Sequence, residues 1–346
     1  MKIGILTGGG DCPGLNAVIR AIVRKSVQYG WEAIGVENGW KGLIDIDTVS
    51  LDINAVSGIL QKGGTILGTS RTNPFKIDGG EKRVFENAAK IGLDALVAIG
   101  GEDTLGVANK LSKSGLKVVG VPKTIDNDLS GTDYTFGFDT AVNIAMDAID
   151  RIHTTAESHK RVMIIEVMGR HAGWIAMHSG IAAGADLILI PEKEIRLHEI
   201  IDVIKRRLDR GRKFSIIVVA EGAKFSEDDQ KEGTLVLQDT KLDAFGHVRL
   251  GGIANILADI LEKKTGIETR ATILGHIQRG GSPTAYDRVL GTRFGVYAVE
   301  MIKDGKFGRM AALKGAQIVD ITIEQAVSTL KTVDEKFYDT ARVFFN

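Results

Sequence analysis

The stretch LDALVAIGGEDTLGVANKL, residues 93–111, carries the pattern on which the fold is read. Leu93 to Ile99 is an apolar run, Gly100 and Gly101 interrupt it, and apolar residues from Leu105 to Leu111 then return at helical spacing. A strand apolar on both faces, followed by a glycine turn and a helix, is the βα unit of a parallel sheet covered by helices on both sides. The pattern repeats outward. Ile3 to Leu6 precedes a helical stretch from Ala17 to Val27, Ala33 to Val36 adds a strand, and Val118 to Val121 leads to Ala141 to Ile152. A second series runs through Val162 to Val167, Ala172 to Ala183, Leu187 to Ile190, Leu197 to Leu208 and Ile216 to Ala220, then a helix from Ile253 to Lys263, a strand near Thr269 to Leu274 and a helix from Ala285 to Ile302. Ligands of such sheets lie beyond the carboxyl ends of the strands, so the loops after strands hold the chemistry. Lys224 to Lys241 is polar, with little periodicity, and reads as a surface excursion.

At 346 residues the chain is long enough for two domains. It has 44 basic and 44 acidic residues, so no net field attracts nucleic acid or an anionic membrane. The longest apolar runs fall far short of the roughly 18 to 20 residues that span a bilayer. The N-terminal sequence lacks a secretory pattern, and a cytoplasmic location is expected. Cys12 is the sole cysteine, which excludes an intrachain disulfide and a cysteine-rich zinc site.

Four groups of residues carry candidate chemistry. The first, Thr7-Gly8-Gly9-Gly10-Asp11-Cys12-Pro13-Gly14, joins a strand to a helix. Successive glycines let backbone amides close on a phosphate, although the same residues also make a tight turn. Neither the G-x-G-x-x-G fingerprint nor the P-loop occurs, which argues against a dinucleotide oxidoreductase. In the second group, Glu102 and Asp103 beside a phosphate loop repel the anion unless magnesium intervenes; as first-turn acids they also complement a helix dipole. The third group is Pro122-Lys123-Thr124-Ile125-Asp126-Asn127-Asp128, where one aspartate takes a proton from a hydroxyl and the other orients its neighbour or holds metal; such clusters also form Asx turns. The fourth is cationic: Arg71, Arg161, Arg170 with His171, Arg270, and His276 to Gly281 around Arg279, a set suited to a phosphorylated small molecule. A non-catalytic sugar-phosphate sensor shares the arginines but has no use for Asp126 and Asp128.

Taken in order, T-G-G-G-D-x-P-G-x-N at Thr7 to Asn16, G-G-x-x-[ST] at Gly100 to Thr104, T-I-D-N-D at Thr124 to Asp128, M-G-R at Met168 to Arg170, Glu221, and L-G-H-x-Q-R-G-G-x-P at Leu274 to Pro283 resemble the phosphofructokinase family. The resemblance implies two α/β domains with mainly parallel sheets covered by helices and an active site in the cleft between them. One domain is residues 1–137 with 278–328; the other is 138–277 with 329–346. It further implies donor-phosphate binding at Gly10, Arg71 and Thr104, Mg2+ at Glu102, and Asp126 as proton acceptor for the 1-hydroxyl of fructose 6-phosphate, with Asp128 and Arg170 also catalytic. Thr124, Met168, Gly169, Arg170, Glu221, His276 and Arg279 are implied sugar-phosphate contacts. Arg161 and Arg270 reach in from a neighbouring subunit of a homodimer or homotetramer. Two glycines of the ATP-using pattern are replaced here, by Asp103 and Lys123. Asp103 repels a nucleotide α-phosphate and Lys123 fills the nucleotide's path, so the resemblance is to the pyrophosphate-dependent subgroup, the ATP-dependent enzyme being the alternative. Effector-regulated members hold an arginine-rich site between subunits. Arg20, Arg24, Arg210, Arg212 and Lys213 fit it, but Ile53 and His153 stand where arginines are expected, so nucleotide activation is not.

Overall fold

Residues 1–226, 234–235, 237–239 and 249–345 are described by the computed structural model. In chain order the elements begin with β1 (Lys2–Thr7), α1 (Leu15–Gln28), β2 (Glu32–Val36), α2 (Trp40–Asp45), β3 (Thr48–Leu51), α3 (Gly80–Ile91), β4 (Ala95–Gly100), α4 (Glu102–Lys113), β5 (Val118–Pro122) and α5 (Phe138–His159). They continue with β6 (Val162–Val167), α6 (Trp174–Ala182), β7 (Leu187–Leu189), β8 (Ile195–Arg196), α7 (Leu197–Asp209), β9 (Ser215–Ala220), β10 (Lys224–Ser226), β11 (Thr234–Leu235), β12 (Leu237–Asp239), β13 (Arg249–Leu250), α8 (Ile253–Thr265) and β14 (Thr269–Ile273). Last come α9 (Ala285–Lys303), β15 (Arg309–Lys314), β16 (Gln317–Thr322), α10 (Ile323–Val327) and α11 (Glu335–Arg342). The chain forms two compact units: Met1–Thr140 with Arg279–Leu330, and the described residues of 141–278 with 331–345.

The first unit is built on a seven-stranded sheet of order β16-β15-β5-β4-β1-β2-β3. Strands β2, β1, β4, β5 and β15 run parallel, with antiparallel β3 and β16 at the edges. Strand β4 has every residue buried, as its unbroken apolar run requires. Leu96 and Ala98 of β4 pack with Leu105, Ala108 and Leu111 of α4 and Val84 of α3 in one apolar cluster. Each fully buried aliphatic side chain of this kind stabilises the unit by about 1.5 to 3 kcal/mol. From β1 the chain goes first to β2 on one side and later to β4 on the other. The strand order therefore reverses between β1 and β4, and a crevice opens outside the carboxyl ends of strands at such a point. The loops after β1 and β4 are the two glycine motifs.

The second unit has a four-stranded, all-parallel sheet of order β14-β6-β9-β7. Its core joins Ile164, Leu187 and Val219 of the sheet to Ile200, Val203 and Ile204 of α7 and Leu257 and Leu261 of α8. Strand β6 ends just before Met168-Gly169-Arg170, β9 just before Glu221, and β14 just before Leu274-Gly275-His276.

Two features depart from the sequence reading. The edge strands β3 and β16, the inner strand β15 and helices α3, α10 and α11 are additional elements, most of them short or polar on one face. The polar excursion begins later than expected: Lys224–Ser226 is a strand paired with β8, and Phe225 and Ser226 are buried. Residues 227–233, 236 and 240–241 of that excursion lie outside the described residues.

A buried acid lies at the start of α9. Asp287 is fully buried, and its Oδ2 accepts from Thr140 N at 2.8 Å and Thr140 Oγ1 at 2.5 Å. Burial nevertheless pushes its carboxyl up to about 6. A raised carboxyl binds its proton more tightly in the folded chain, so the stability it contributes is full below about pH 4 and is lost as pH rises through about 6. Relative to Asp287→Asn, the protein should lose about 2 to 3 kcal/mol of unfolding free energy across that window. Denaturant melts of both proteins between pH 4 and 7 measure it; parallel pH profiles would remove Asp287 as the source.

Candidate active site

The glycine loop after β1, the start of α4 and the loop after β5 all belong to the first unit. Thr7 ends β1, and the chain threads Gly8 and Gly10 through close approaches, while Gly9 between them has a left-handed backbone (φ 79). A Cβ on Gly8 would lie 2.6 Å from Thr104 Oγ1, and one on Gly10 would lie 2.4 Å from Arg279 Nη1. Backbone amides of the first two glycines are not aimed at an anion: Gly8 N donates to Ile99 O at 3.0 Å and Gly9 N to Ser70 O at 3.2 Å. The expected run of free glycine amides is therefore interrupted at Gly8 and Gly9, and two cations lie beside the loop. Lys123 Nζ donates to Gly10 O, and Arg279 Nη1 donates to Asp11 O at 3.3 Å. Lys123 is 3% exposed, and burial holds its ammonium below the ordinary lysine range, with Asp126 and Asp11 acting in the opposite direction.

The loop after β5 is locked by its own polar side chains. Asn127 has a left-handed backbone (φ 52), and its Oδ1 accepts from Thr135 N at 3.1 Å while Thr135 Oγ1 donates to Thr124 O at 2.8 Å. Asp126 N donates to Thr124 Oγ1 at 3.0 Å. These contacts fix the backbone around Asp126, which is 7% exposed and whose Oδ1 has no hydrogen-bond partner among the described residues. A buried carboxylate oxygen without a donor is costly unless a ligand or proton completes it. Asp128 is half-buried.

Glu102 and Asp103 occupy the first turn of α4, where they complement its dipole; Glu102 is exposed and Asp103 half-buried. Thr104 is buried, and its carbonyl accepts from Trp40 Nε1 at 3.3 Å. Arg71 is exposed, one residue beyond the Ser70 carbonyl that receives Gly9. Cys12, in the loop after β1, is buried with its Sγ on Phe136 O at 3.7 Å, and burial pushes its thiol up to about 12.

In the second unit, Met168, Gly169, Arg170, Glu221 and His276 all follow the carboxyl ends of β6, β9 and β14. Arg170 N donates to Glu221 Oε1 at 3.1 Å and Met168 N to Gln278 Oε1 at 3.4 Å. Arg161 and Arg270 lie at the other end. Arg161 immediately precedes β6, and Arg270 pairs in register with Met163 near its start. Six residues of β6 intervene between Arg161 and the strand's end, a span of about 20 Å, and four follow Met163, the register partner of Arg270, about 13 Å. Both arginines pair with Glu268, Arg161 at 2.7 Å and Arg270 at 2.5 Å, and Arg270 also meets Glu262 at 3.2 Å. Among the effector-type residues, Arg24, Arg210, Arg212 and Lys213 are exposed and Ile53 is 43% exposed.

The sequence reading missed the residues that hold these loops. Gln278, Asn127 and Glu192 accept from backbone amides and the Thr135 hydroxyl donates to the Thr124 carbonyl, and only Gln278 and Asn127 lie within quoted motifs. Glu192 is two residues past the apolar run Leu187 to Ile190, at a strand end. Its position there was the one available signal.

The two units carry the loops of a sugar-phosphate phosphotransferase, and comparison with known proteins agrees. The Phosphofructokinase family model matches residues 2–302, and the chain belongs to that family. It is 58% identical over 347 residues, covering both chains completely, to the pyrophosphate–fructose 6-phosphate 1-phosphotransferase of Streptomyces coelicolor. It is 53% identical over 342 residues, 99% of each chain, to ATP-dependent 6-phosphofructokinase 3 of the same organism. Among solved structures it resembles phosphofructokinase from Saccharomyces cerevisiae, with TM-score 0.80 and 33% identity, over 99% of this chain and 46% of that one.

Proposed function

We propose that this chain catalyses reversible phosphoryl transfer from pyrophosphate to the 1-hydroxyl of fructose 6-phosphate, giving fructose 1,6-bisphosphate and phosphate. The observation that carries the donor assignment is the buried Lys123 ammonium on the Gly10 carbonyl. A lysine at that place brings a compact positive charge to a small polyanion and leaves less room for the ribose and base of a nucleotide. Asp103, in the first turn of α4, adds a negative charge that disfavours a third phosphate. Gly10, Arg71 and Thr104 complete the donor side.

Asp126 accepts the proton of the attacking hydroxyl, a role that suits a fixed backbone and an oxygen without an internal donor. Asp128 supports the same loop. Thr124, Met168, Gly169, Arg170, Glu221, His276 and Arg279 bind the sugar phosphate; Arg170 also stabilises charge on the transferring group. Arg279 additionally binds the donor-loop carbonyl of Asp11, which links its position to the donor loop.

The acids present fit magnesium. Glu102 offers an exposed carboxylate with room for water, and no cluster of three or more His, Cys, Asp or Glu residues able to hold a metal occurs among the described residues. Magnesium used with phosphates takes one or two carboxylates and keeps several waters, so Glu102 would hold it. When bound, the ion neutralises charge on the transferring phosphoryl oxygens.

Arg161 stands about 20 Å along β6 from the Arg170 loop and Arg270, in register with Met163, about 13 Å, and both serve the sugar phosphate of another copy in a homodimer or homotetramer. No helix among the described residues is long and apolar enough to cross a membrane. With no intrachain disulfide available to its single cysteine, the chain suits a reducing compartment, and a cytoplasmic location belongs to this reading.

The direct assay supplies fructose 6-phosphate and magnesium with either donor. Fructose 1,6-bisphosphate should form with pyrophosphate, and the reaction should run backward when phosphate is supplied; faster turnover with ATP would replace this assignment by the ATP-dependent one. Asp126→Asn preserves size and should lower kcat by a factor of about 10² to 10⁴ while fructose 6-phosphate still binds. Near-normal turnover in that variant would transfer the proton-accepting role to Asp128.

A further inference from the structure

Arg170 has a left-handed backbone, φ 53, which a side-chain-bearing residue adopts only where its surroundings impose it. On one side its amide is held by Glu221 Oε1 at 3.1 Å, and its carbonyl is packed so closely that a Cβ on Gly222 would lie 1.8 Å from it. On the other side Ala172 N donates to Gly169 O at 2.9 Å, and the turn then passes to Gly173, directly before α6. What fixes that end is Glu192. Both carboxylate oxygens accept from Gly173 N, at 3.0 and 3.1 Å, and Oε1 also accepts from Val333 N at 2.9 Å.

We propose that Glu192 is a positioning residue for the sugar phosphate: its carboxylate, shared between Gly173 and Val333, holds the backbone turn that carries Arg170. The inference rests on the reading that Arg170 binds fructose 6-phosphate. Helix α6 follows the turn, and its unsatisfied first amides would otherwise be a ready anion site. Glu192 takes one of them, so recognition of the sugar phosphate falls to side chains. Burial raises the Glu192 carboxyl, and the two amides act against that rise. The other partner matters as much. Val333 belongs to the C-terminal segment, which braces α6 through Trp174 Nε1 on Lys331 O at 2.9 Å and through Trp174 stacked on Phe337 at 6.1 Å. The C-terminal segment therefore reaches the substrate turn through one carboxylate, although no residue of it was assigned to the site.

Kinetics of the full-length enzyme with separate KM values for fructose 6-phosphate and pyrophosphate test this, alongside thermal melts. Glu192→Ala should raise the KM for fructose 6-phosphate by about tenfold, change the KM for pyrophosphate little and lower kcat less than it raises KM. Glu192→Gln, whose amide oxygen still accepts from Gly173 N, should restore most of the loss. Should the alanine variant fail to fold, Val333→Pro, which removes the second donor, should give a smaller rise in the same KM. An unchanged fructose 6-phosphate KM, equal loss toward both substrates, or a glutamine variant as weak as alanine overturns the proposal. Arg170→Met separates the two readings: if it leaves the fructose 6-phosphate KM unchanged, the assignment of Arg170 itself fails, whatever Glu192 does.

Discussion

A lysine ammonium held out of water against a backbone carbonyl is the constraint around which the loops after β1 and β5 are organised. Lys123 extends from the end of β5 to Gly10 of the loop after β1, and spans the switch point between β1 and β4 where the sheet opens. Burying that charge is unfavourable, which is why its pKa falls. Carbonyl Gly10 O and the nearby acids Asp126 and Asp11 offset part of the cost. A polyphosphate would offset more, because its negative charge meets a cation already stripped of water and fixed in place.

That arrangement also explains why the glycines are where they are. Gly8 lets the loop press against Thr104, and Gly10 lets it press against Arg279. The loop thereby lies between the α4 terminus and two cations. Its amides at Gly8 and Gly9 are spent on Ile99 and Ser70, so rigidity comes from the backbone and charge from side chains. The same division recurs in the second unit, where amides of Met168, Arg170 and Gly173 bind Gln278, Glu221 and Glu192.

How much was legible in the sequence follows from that division. Buried parallel strands such as β4 and β6 declare themselves by unbroken apolar runs, and the motifs carrying Asp126, Lys123 and Arg170 sit directly after them. Edge strand β16 escaped because one side of an edge strand is wetted and its residues lose the run, and it has no buried residue; β15 lies inside the sheet between β16 and β5, but its buried run, Met310 to Leu313, is short. The number of glycines in the donor loop suggested amide recognition. Which amides are already bonded depends on Ile99 and Ser70, residues distant in sequence, and only the fold supplies them. Glu192 was hidden for the same reason: its partners, Gly173 and Val333, are 19 and 141 positions away.

The central claim is that the Lys123 charge makes the donor site a pyrophosphate site, and the measurement that tests it is kcat/KM for pyrophosphate in Lys123→Met. This change keeps the apolar stem and removes the ammonium. The account requires a fall of about 10² to 10³ with the protein still folded, as for loss of a charge-stabilising donor. Pyrophosphate kcat/KM within about twofold of the unmodified enzyme would contradict it.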